Sequence, residues 1–443
     1  MGSAQALTLG IDLGTSGVRA CLGTGDATVA VAAEPFGDDV AVPEAGGGTL
    51  QDPGVWLRSL HTLFRRLAER ADLAEVARVA VAGTSGTLLL TDRDGAALTP
   101  ARMYDDSTSH AQAERIRDAA PRGHPAATPT SSLAKLLAAH DRGLPEGTCH
   151  ALHPADWVAV ALGGPPGHSD ENNAFKLGYD PECRCWPGWL LDLLESEERR
   201  HRRRHRLIDL LPQVWPAGTP LGVLDPRRAR PLGLGPGAEL AAGTTDGVAG
   251  VLGTGARALG DGVTTLGTTL IIKLIGAEPV HDPRAGVYSH RLGERWLCGG
   301  ASNTGGGVLR AYFSHAELAE LEPRLRPDDP TGLDYYPLLK PGERFPIADP
   351  QLAPRITPRP SDPARFLQGL LEGMASVEAR GYARLAALGA PTLKRVFTTG
   401  GGARNRAWQR LRERALERPV VADPQAETAC GAARLARAGP GIV

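Results

Sequence analysis

The sequence predicts an α/β protein of two domains, and three stretches carry that expectation. Residues 8–20, Thr-Leu-Gly-Ile-Asp-Leu-Gly-Thr-Ser-Gly-Val-Arg-Ala, read as strand, tight turn, strand. Residues 262–274, Gly-Val-Thr-Thr-Leu-Gly-Thr-Thr-Leu-Ile-Ile-Lys-Leu, repeat that pattern half a chain later. Residues 395–417 run from an apolar strand through Gly400-Gly401-Gly402 into a helix. The echo suggests an internal duplication, with two similar loops facing each other across a cleft. At 443 residues the chain is also too long for one compact core.

Each loop has a chemical reading and a bland one. Glycines let a backbone turn tightly and approach a ligand, and successive N–H groups in such a turn form an anion-binding nest. Asp12, Thr15 and Ser16 beside Gly14 suit a nucleotide phosphate and its Mg²⁺, yet Gly-Thr-Ser-Gly is also ordinary hairpin chemistry. Between the loops, Gly243-Thr244-Thr245-Asp246-Gly247 opens an apolar helical stretch. Asp246 is either a helix cap or the group that takes a proton from a substrate hydroxyl. At Gly400–Gly402 the strand–glycine–helix unit suits a flat ligand or phosphate at a helix N-terminus, or it is only a tight turn.

The remaining elements follow in order. Strands are expected at 7–12, 18–22 and 27–34, then a helix from Pro53 to about Arg70, where Val55, Leu57, Leu60, Leu63 and Leu67 recur at helical spacing. Residues 76–82 and 88–90 read as strands around Thr84-Ser85-Gly86-Thr87, and Asp94-Gly95 is a hairpin-turn signal. Helices are expected at 107–119, 131–140 and 156–162. A Pro/Gly-rich stretch at 216–237 precedes the strand that feeds Asp246, which sets the domain boundary between 242 and 243. Strands at 287–290 and 296–298 and a helix at 308–313 lead to a proline-rich surface excursion at 322–363. A long helix at 364–388, the strand at 394–399, a helix at 405–417 and a last Ala-rich helix from Glu427 complete the chain.

Composition excludes several classes. With 49 Lys and Arg against 50 Asp and Glu, a net charge of −1 gives no electrostatic case for nucleic acid or a membrane surface. No apolar run is long enough to span a bilayer, and no secretory signal is visible, so a cytoplasmic protein is expected. Six cysteines in a chain this size make no disulfide framework, and reduced thiols are the simpler reading. Cys183-Arg184-Cys185 lacks a partner pair at metal-ligand spacing. The basic run from Arg199 to Arg206 is led by acids and reads as a solvated helix end or loop.

Taken in order, Asp12-Leu13-Gly14-Thr15-Ser16, Thr244-Thr245-Asp246-Gly247, Leu266-Gly267-Thr268-Thr269 and Gly400-Gly401-Gly402-Ala403-Arg404-Asn405 resemble the motifs of FGGY carbohydrate kinases, of the actin/sugar-kinase/Hsp70 ATPase superfamily. The resemblance covers essentially the whole chain. It implies two ribonuclease-H-like (actin-like ATPase) domains flanking a deep catalytic cleft: residues 1–242 on the sugar side and 243–443 on the ATP side. Stretches such as 169–181, 286–292, 299–306 and 342–350 look closest to the plant and cyanobacterial D-ribulose kinase group, often labelled xylulose kinases. Bacterial xylulokinases carry Gln-Met-His-Gly where this chain has Thr84-Ser85-Gly86-Thr87, and that departure puts D-xylulose in doubt.

By that resemblance Asp246 is the general base, and Asp12 orients Mg²⁺ with Asp246 beside it. Gly14, Thr15, Ser16, Gly267 and Thr268 hold the ATP phosphates, while Gly401, Gly402, Asn405 and Trp408 line the adenosine pocket, with Trp408 alternatively a core residue. Asp12, Ser85, Asp106 and Asp246 bind the sugar, with Asp105 or Asp106 alternatively a helix cap; Lys176 and Asp156 match the subgroup and are either functional or structural. The expected reaction transfers the γ-phosphate of ATP to a ketopentose, D-ribulose before D-xylulose or another polyol or ketose. The competing class is a non-catalytic ATP-driven switch or binding scaffold, which would be expected to lose the base. A monomer or homodimer is expected, with small-molecule partners alone.

Overall fold

The computed structural model describes residues 6–25, 27–42, 44, 48–201, 206–423 and 426–441. Residues 202–205 of the basic run lie outside the described residues; the run's acidic lead sits on the helix Gly188–His201. The chain divides into two units. The first holds the residues up to Gly253, Arg291–Gly293 and those from Glu427 onward; the second holds Thr254–His290 and Glu294–Ala426. The sequence-based boundary at 242/243 falls one short strand and one helix earlier than the junction found. Among the described residues, no helix is long and apolar enough to cross a membrane.

In the first unit, Leu7–Leu13, Gly17–Thr24 and Ala27–Pro35 form an antiparallel meander. Val76–Gly83 joins parallel to Leu7–Leu13, and Glu239–Ala241 joins parallel to Val76–Gly83. Alternation along Leu7–Leu13 divides its side chains between two faces. Leu9, Ile11 and Leu13 enter a core with Trp56, Leu60, Leu63, Phe64 and Leu67 of the helix Pro53–Ala68. That helix starts where the Asp52 carboxylate accepts from Gly54 N at 2.8 Å with Pro53 at its first position.

Thr8, Gly10 and Asp12 share the opposite face. A side chain at Gly10 would overlap Ala429 O and Ala433 N, so the final helix Thr428–Ala438 lies directly on this strand. Gly431 brings the same helix equally close to Ala249 of the helix Asp246–Gly253. A disulfide between Cys21 and Cys430, Cα atoms 5.0 Å apart, fastens the final helix to Gly17–Thr24, and Cys183 and Cys185 form a second. This corrects the all-reduced expectation: 409 residues of sequence separation gave no sign of a pairing that the return of the last helix creates. Cys149 and Cys298 are free thiols.

The second unit repeats the plan. Arg295–Ser302, Leu270–Gly276 and Asp261–Leu266 are successive antiparallel neighbours, Arg395–Thr399 lies parallel to Asp261–Leu266, and Val420–Ala422 lies parallel to Arg395–Thr399. Five strands therefore recur with the same order and sense, and each unit's first hairpin carries its Gly-Thr turn. The helices Pro363–Ala387 and Arg406–Leu416 cover this sheet. Between them Glu378 and Arg412 form a buried ion pair that reaches Thr264 and Thr398 on neighbouring strands.

Residues 322–363 differ from the surface excursion expected. Tyr335, Tyr336, Leu338 and Phe345 are buried, so an irregular backbone here still supplies core side chains. Helices at Gly188–His201 and His315–Leu321 also escaped sequence reading, as did the short strands Gln213–Trp215, just before the Pro/Gly-rich stretch, and Pro220–Val223, inside it.

Candidate active site

Three parallel strand ends gather the first unit's candidates. Asp12 lies in register with Ala82, and Thr244 pairs with Ala82 from the other side. Asp12, the 84–87 loop and Asp246 thus emerge at the carboxyl edge of one sheet, the edge at which open α/β sheets bind ligands. Asp12 is 5% exposed, and its Oδ1 accepts no hydrogen bond among the described residues. Burial, then the neighbouring Asp246 carboxylate, pushes Asp12 up to about 7, against the pull of Arg19 at 3.8 Å. Asp246 starts its helix with Oδ1 accepting from Gly247 N at 2.7 Å.

The adjoining turn is held from three sides. Gly14 N donates to Gly17 O at 3.0 Å, Phe36 N to Ser16 O at 2.9 Å, and Gln51 Nε2 to Thr15 O at 2.9 Å. Thr15 and Ser16 themselves are exposed at its tip. A fixed backbone with outward hydroxyls meets the geometric demand of a phosphate nest.

Two lysines brace the 84–87 loop. Lys135 Nζ donates to Gly86 O at 2.7 Å and Thr130 O at 2.8 Å, and Lys176 Nζ donates to Ser85 O at 3.3 Å. Burial, then Lys176, brings Lys135 down to about 7. Thr84 and Thr87 join their hydroxyls at 2.9 Å, whereas the buried Ser85 Oγ has no partner among the described residues. Gly86 has a φ of +91°, open to glycine at little cost.

Asp106 takes a different part. Its carboxylate accepts from Thr49 N, Thr108 N, Thr108 Oγ1 and Arg102 between 2.7 and 3.1 Å. Burial would raise its pKa; the Thr108 bonds and Arg102 outweigh that and hold it below the usual carboxylate range. Both oxygens are committed to the protein, so the geometry makes Asp106 an anchor of its loop where the sequence suggested a sugar ligand. Asp156 is likewise occupied, accepting from His153 N at 3.0 Å at the start of the helix Pro154–Ala161.

In the second unit, the Gly267 turn is bound to the start of the helix Gly306–Tyr312. Gly306 N donates to Gly267 O at 2.9 Å and Gly307 N to Thr268 O at 3.0 Å. Thr268 is exposed, and its hydroxyl accepts from Arg310 at 3.0 Å. Buried Glu343 fixes the preceding segment through Ser302 Oγ at 2.5 Å, Asn303 N at 2.8 Å and Tyr336 OH at 2.9 Å. Sequence reasoning missed Arg310 and Glu343. Glu343 falls in the family-like stretch 342–350 and Arg310 in the expected helix at 308–313, but nothing in either marks which side chain reaches the turn.

The Gly400–Gly402 turn lies beside it. Gly400 has a φ of +85°, and a Cβ there would stand 2.6 Å from Leu266 O. Gly401 is exposed, with open space around it. Gly402 rests on the Trp408 ring, a Cβ there meeting it at 2.5 Å. Trp408 is 3% exposed and belongs to the core, the second of its two expected places, and it supports the turn from beneath. Asn405 caps the following helix, its Oδ1 accepting from Trp408 N at 2.7 Å.

The comparisons agree with this anatomy. The chain is 23% identical over 453 residues to the gluconokinase of Bacillus subtilis (strain 168), covering 95% of this chain and 85% of that protein. It is 24% identical over 425 residues to the xylulose kinase of Escherichia coli (strain K12), covering 91% and 83%. Among solved structures, a crystal structure titled xyloylose kinase from Brucella ovis matches with a TM-score of 0.84 at 23% identity, over 98% of this chain and 91% of that one. The N-terminal domain model of the FGGY family of carbohydrate kinases matches residues 7–253 and the C-terminal domain model residues 262–439. The chain belongs to the FGGY family of carbohydrate kinases.

Proposed function

We propose that this protein transfers the γ-phosphate of ATP to a hydroxyl of a ketopentose, D-ribulose, giving D-ribulose 5-phosphate. The observation that carries the reading is the pair of carboxylates Asp12 and Asp246 at one sheet edge, electrostatically coupled, beside an anchored Gly-Thr-Ser turn. Phosphoryl transfer asks a protein mainly for positioning and charge stabilisation. Asp246 accepts the sugar hydroxyl's proton as the oxygen attacks phosphorus. The Gly14–Ser16 and Gly267–Thr268 turns hold phosphate oxygens, with Arg310 beside the second. Gly401, open to approach, receives the adenosine.

The donor set fits Mg²⁺. Among the described residues no group of three or more His, Cys, Asp or Glu could enclose a metal. Mg²⁺ characteristically takes one or two carboxylates plus water and substrate phosphates, and Asp12 offers a buried oxygen without a hydrogen bond. Asp12, with Asp246 near it, would hold the ion, which supplies charge neutralisation at the phosphates.

The choice of D-ribulose rests on the small hydroxyl-bearing 84–87 loop, whose Ser85 Oγ is left for a ligand. A second reading, D-xylulose or D-gluconate, is favoured by the names of the relatives. Coupled ADP release with D-ribulose, D-xylulose, D-gluconate, glycerol and no sugar, on wild type and Asp246→Asn, tests both. Sugar-dependent release with D-ribulose preferred, lost in the variant, is expected. Release that ignores sugar and survives the substitution overturns the kinase assignment; preference for another sugar overturns D-ribulose alone.

A further inference from the structure

Lys135 and Lys176 both reach the 84–87 loop, but they are employed differently. Lys135 is 1% exposed and spends its ammonium on two well-placed carbonyls, Gly86 O and Thr130 O. Lys176 is half-buried and makes one long hydrogen bond among the described residues, 3.3 Å to Ser85 O. An ammonium has three donors, so most of its capacity is unspent. Ser85 Oγ, on the residue that Lys176 grips, is buried and unpartnered as well. Thr245 pairs with Gly83, so Asp246 and the 84–87 loop leave neighbouring parallel strands at one sheet edge, and the Asp246 carboxylate favours the Lys176 ammonium against burial.

A cation with spare donors, a spare hydroxyl and the base therefore converge within one unit. Buried polar groups left unpaired are costly, and sites built around them reject analogues that fail to pair. An acceptor-only oxygen suits an ammonium better than a hydroxyl, whose own proton then needs another acceptor. We propose that Lys176 is the substrate-reading residue of this site: it binds a carbonyl or carboxylate oxygen of the sugar close to the hydroxyl that Asp246 deprotonates, and so selects ketoses or aldonates over alditols. The inference rests on the kinase reading above and adds the substrate class.

The test compares D-ribulose, its alditol ribitol, and D-gluconate on wild type, Lys176→Met and Lys176→Arg. Both kcat/KM and ATP-free sugar binding by calorimetry are measured. Wild type is expected to prefer the keto sugar or the aldonate to ribitol, and which of the two wins separates a carbonyl from a carboxylate partner. Lys176→Met should lower kcat/KM for the preferred substrate by about 10- to 100-fold, leave ribitol nearly unchanged, and keep the KM for ATP; Lys176→Arg should retain part of the preference. An equal loss on ribitol and the preferred sugar shows a lysine that only props the Ser85 carbonyl, and overturns the proposal. If Lys176→Met does not fold, wild-type binding decides: no preference for an acceptor-only oxygen overturns it. Failure of the kinase reading looks different, as wild-type sugar binding without phosphoryl transfer.

Discussion

Arg412 grips Glu378 through two hydrogen bonds, Nε to Oε2 at 2.6 Å and NH2 to Oε1 at 2.7 Å, with both residues almost entirely buried. Glu378 also accepts from Thr264 Oγ1 at 2.6 Å, and Arg412 donates to Thr398 Oγ1 at 2.7 Å. Thr264 and Thr398 are register partners on the parallel strands that lead to the Gly267 and Gly400 turns. The ion pair thus ties the strands that carry these two glycine turns together. Removing one partner leaves a buried charge uncompensated, so Glu378→Leu or Arg412→Met alone should cost about 3–5 kcal/mol. The double apolar replacement should cost less than either single one. Urea denaturation of the three variants checks that order.

Gly400 and Gly401 should separate stability from binding. Alanine at Gly400 meets both a left-handed φ and Leu266 O, and should destabilise the protein by about 1–3 kcal/mol. Alanine at Gly401 has open space, so thermal unfolding should shift little while the KM for ATP rises. A shared loss of stability would show that the Gly401 backbone is not the ligand surface.

Arg310 presents a cation to the Thr268 hydroxyl. If it also meets ATP phosphate, Arg310→Ala removes a charge-assisted bond and should raise the KM for ATP by roughly tenfold or more. The KM for sugar should hold, and high salt should narrow the difference because Arg310 is exposed.

Lys135 gives a pH signature. It loses its proton near 7 in the folded protein and near 10.4 in an unfolded chain. Between those values the unfolded state binds more protons, so this group makes stability rise with pH from about 7 to 10.4. Chemical denaturation of wild type and Lys135→Met across that range should show the difference between them changing with this sign and levelling below pH 7.

The sequence made the repeated strands, the glycine turns and Asp246 legible because each is local: alternation, turn chemistry and a helix start can be read within a dozen residues. Asp106 misled because an acid after an aromatic looks alike whether it faces a ligand or, as here, Thr49, Thr108 and Arg102. Trp408 stayed open between pocket and core because helical spacing alone does not say on which side of Gly402 the ring lies. Glu343 reaches Ser302 from 41 residues away, and the Cys21–Cys430 pair spans 409. Such partners are set by how distant segments fold back, which no local pattern encodes. The irregular 322–363 segment hid its buried tyrosines for the same reason.

The seat of the last helix on Gly10 has a consequence for biosynthesis. The strand bearing Asp12 leaves the ribosome long before the helix Thr428–Ala438 that lies on the face it shares with Gly10. A nascent chain therefore cannot finish its first unit until the whole second unit and Thr428–Ala438 have been made, although domains generally fold from the N-terminus as they emerge. The carboxylates at that sheet edge are built on a foundation whose last stone is Thr428–Ala438, so a ribosome that stops before residue 427 releases a chain that contains Asp12 and Asp246 and lacks the helix packed against the strand of one and the helix of the other.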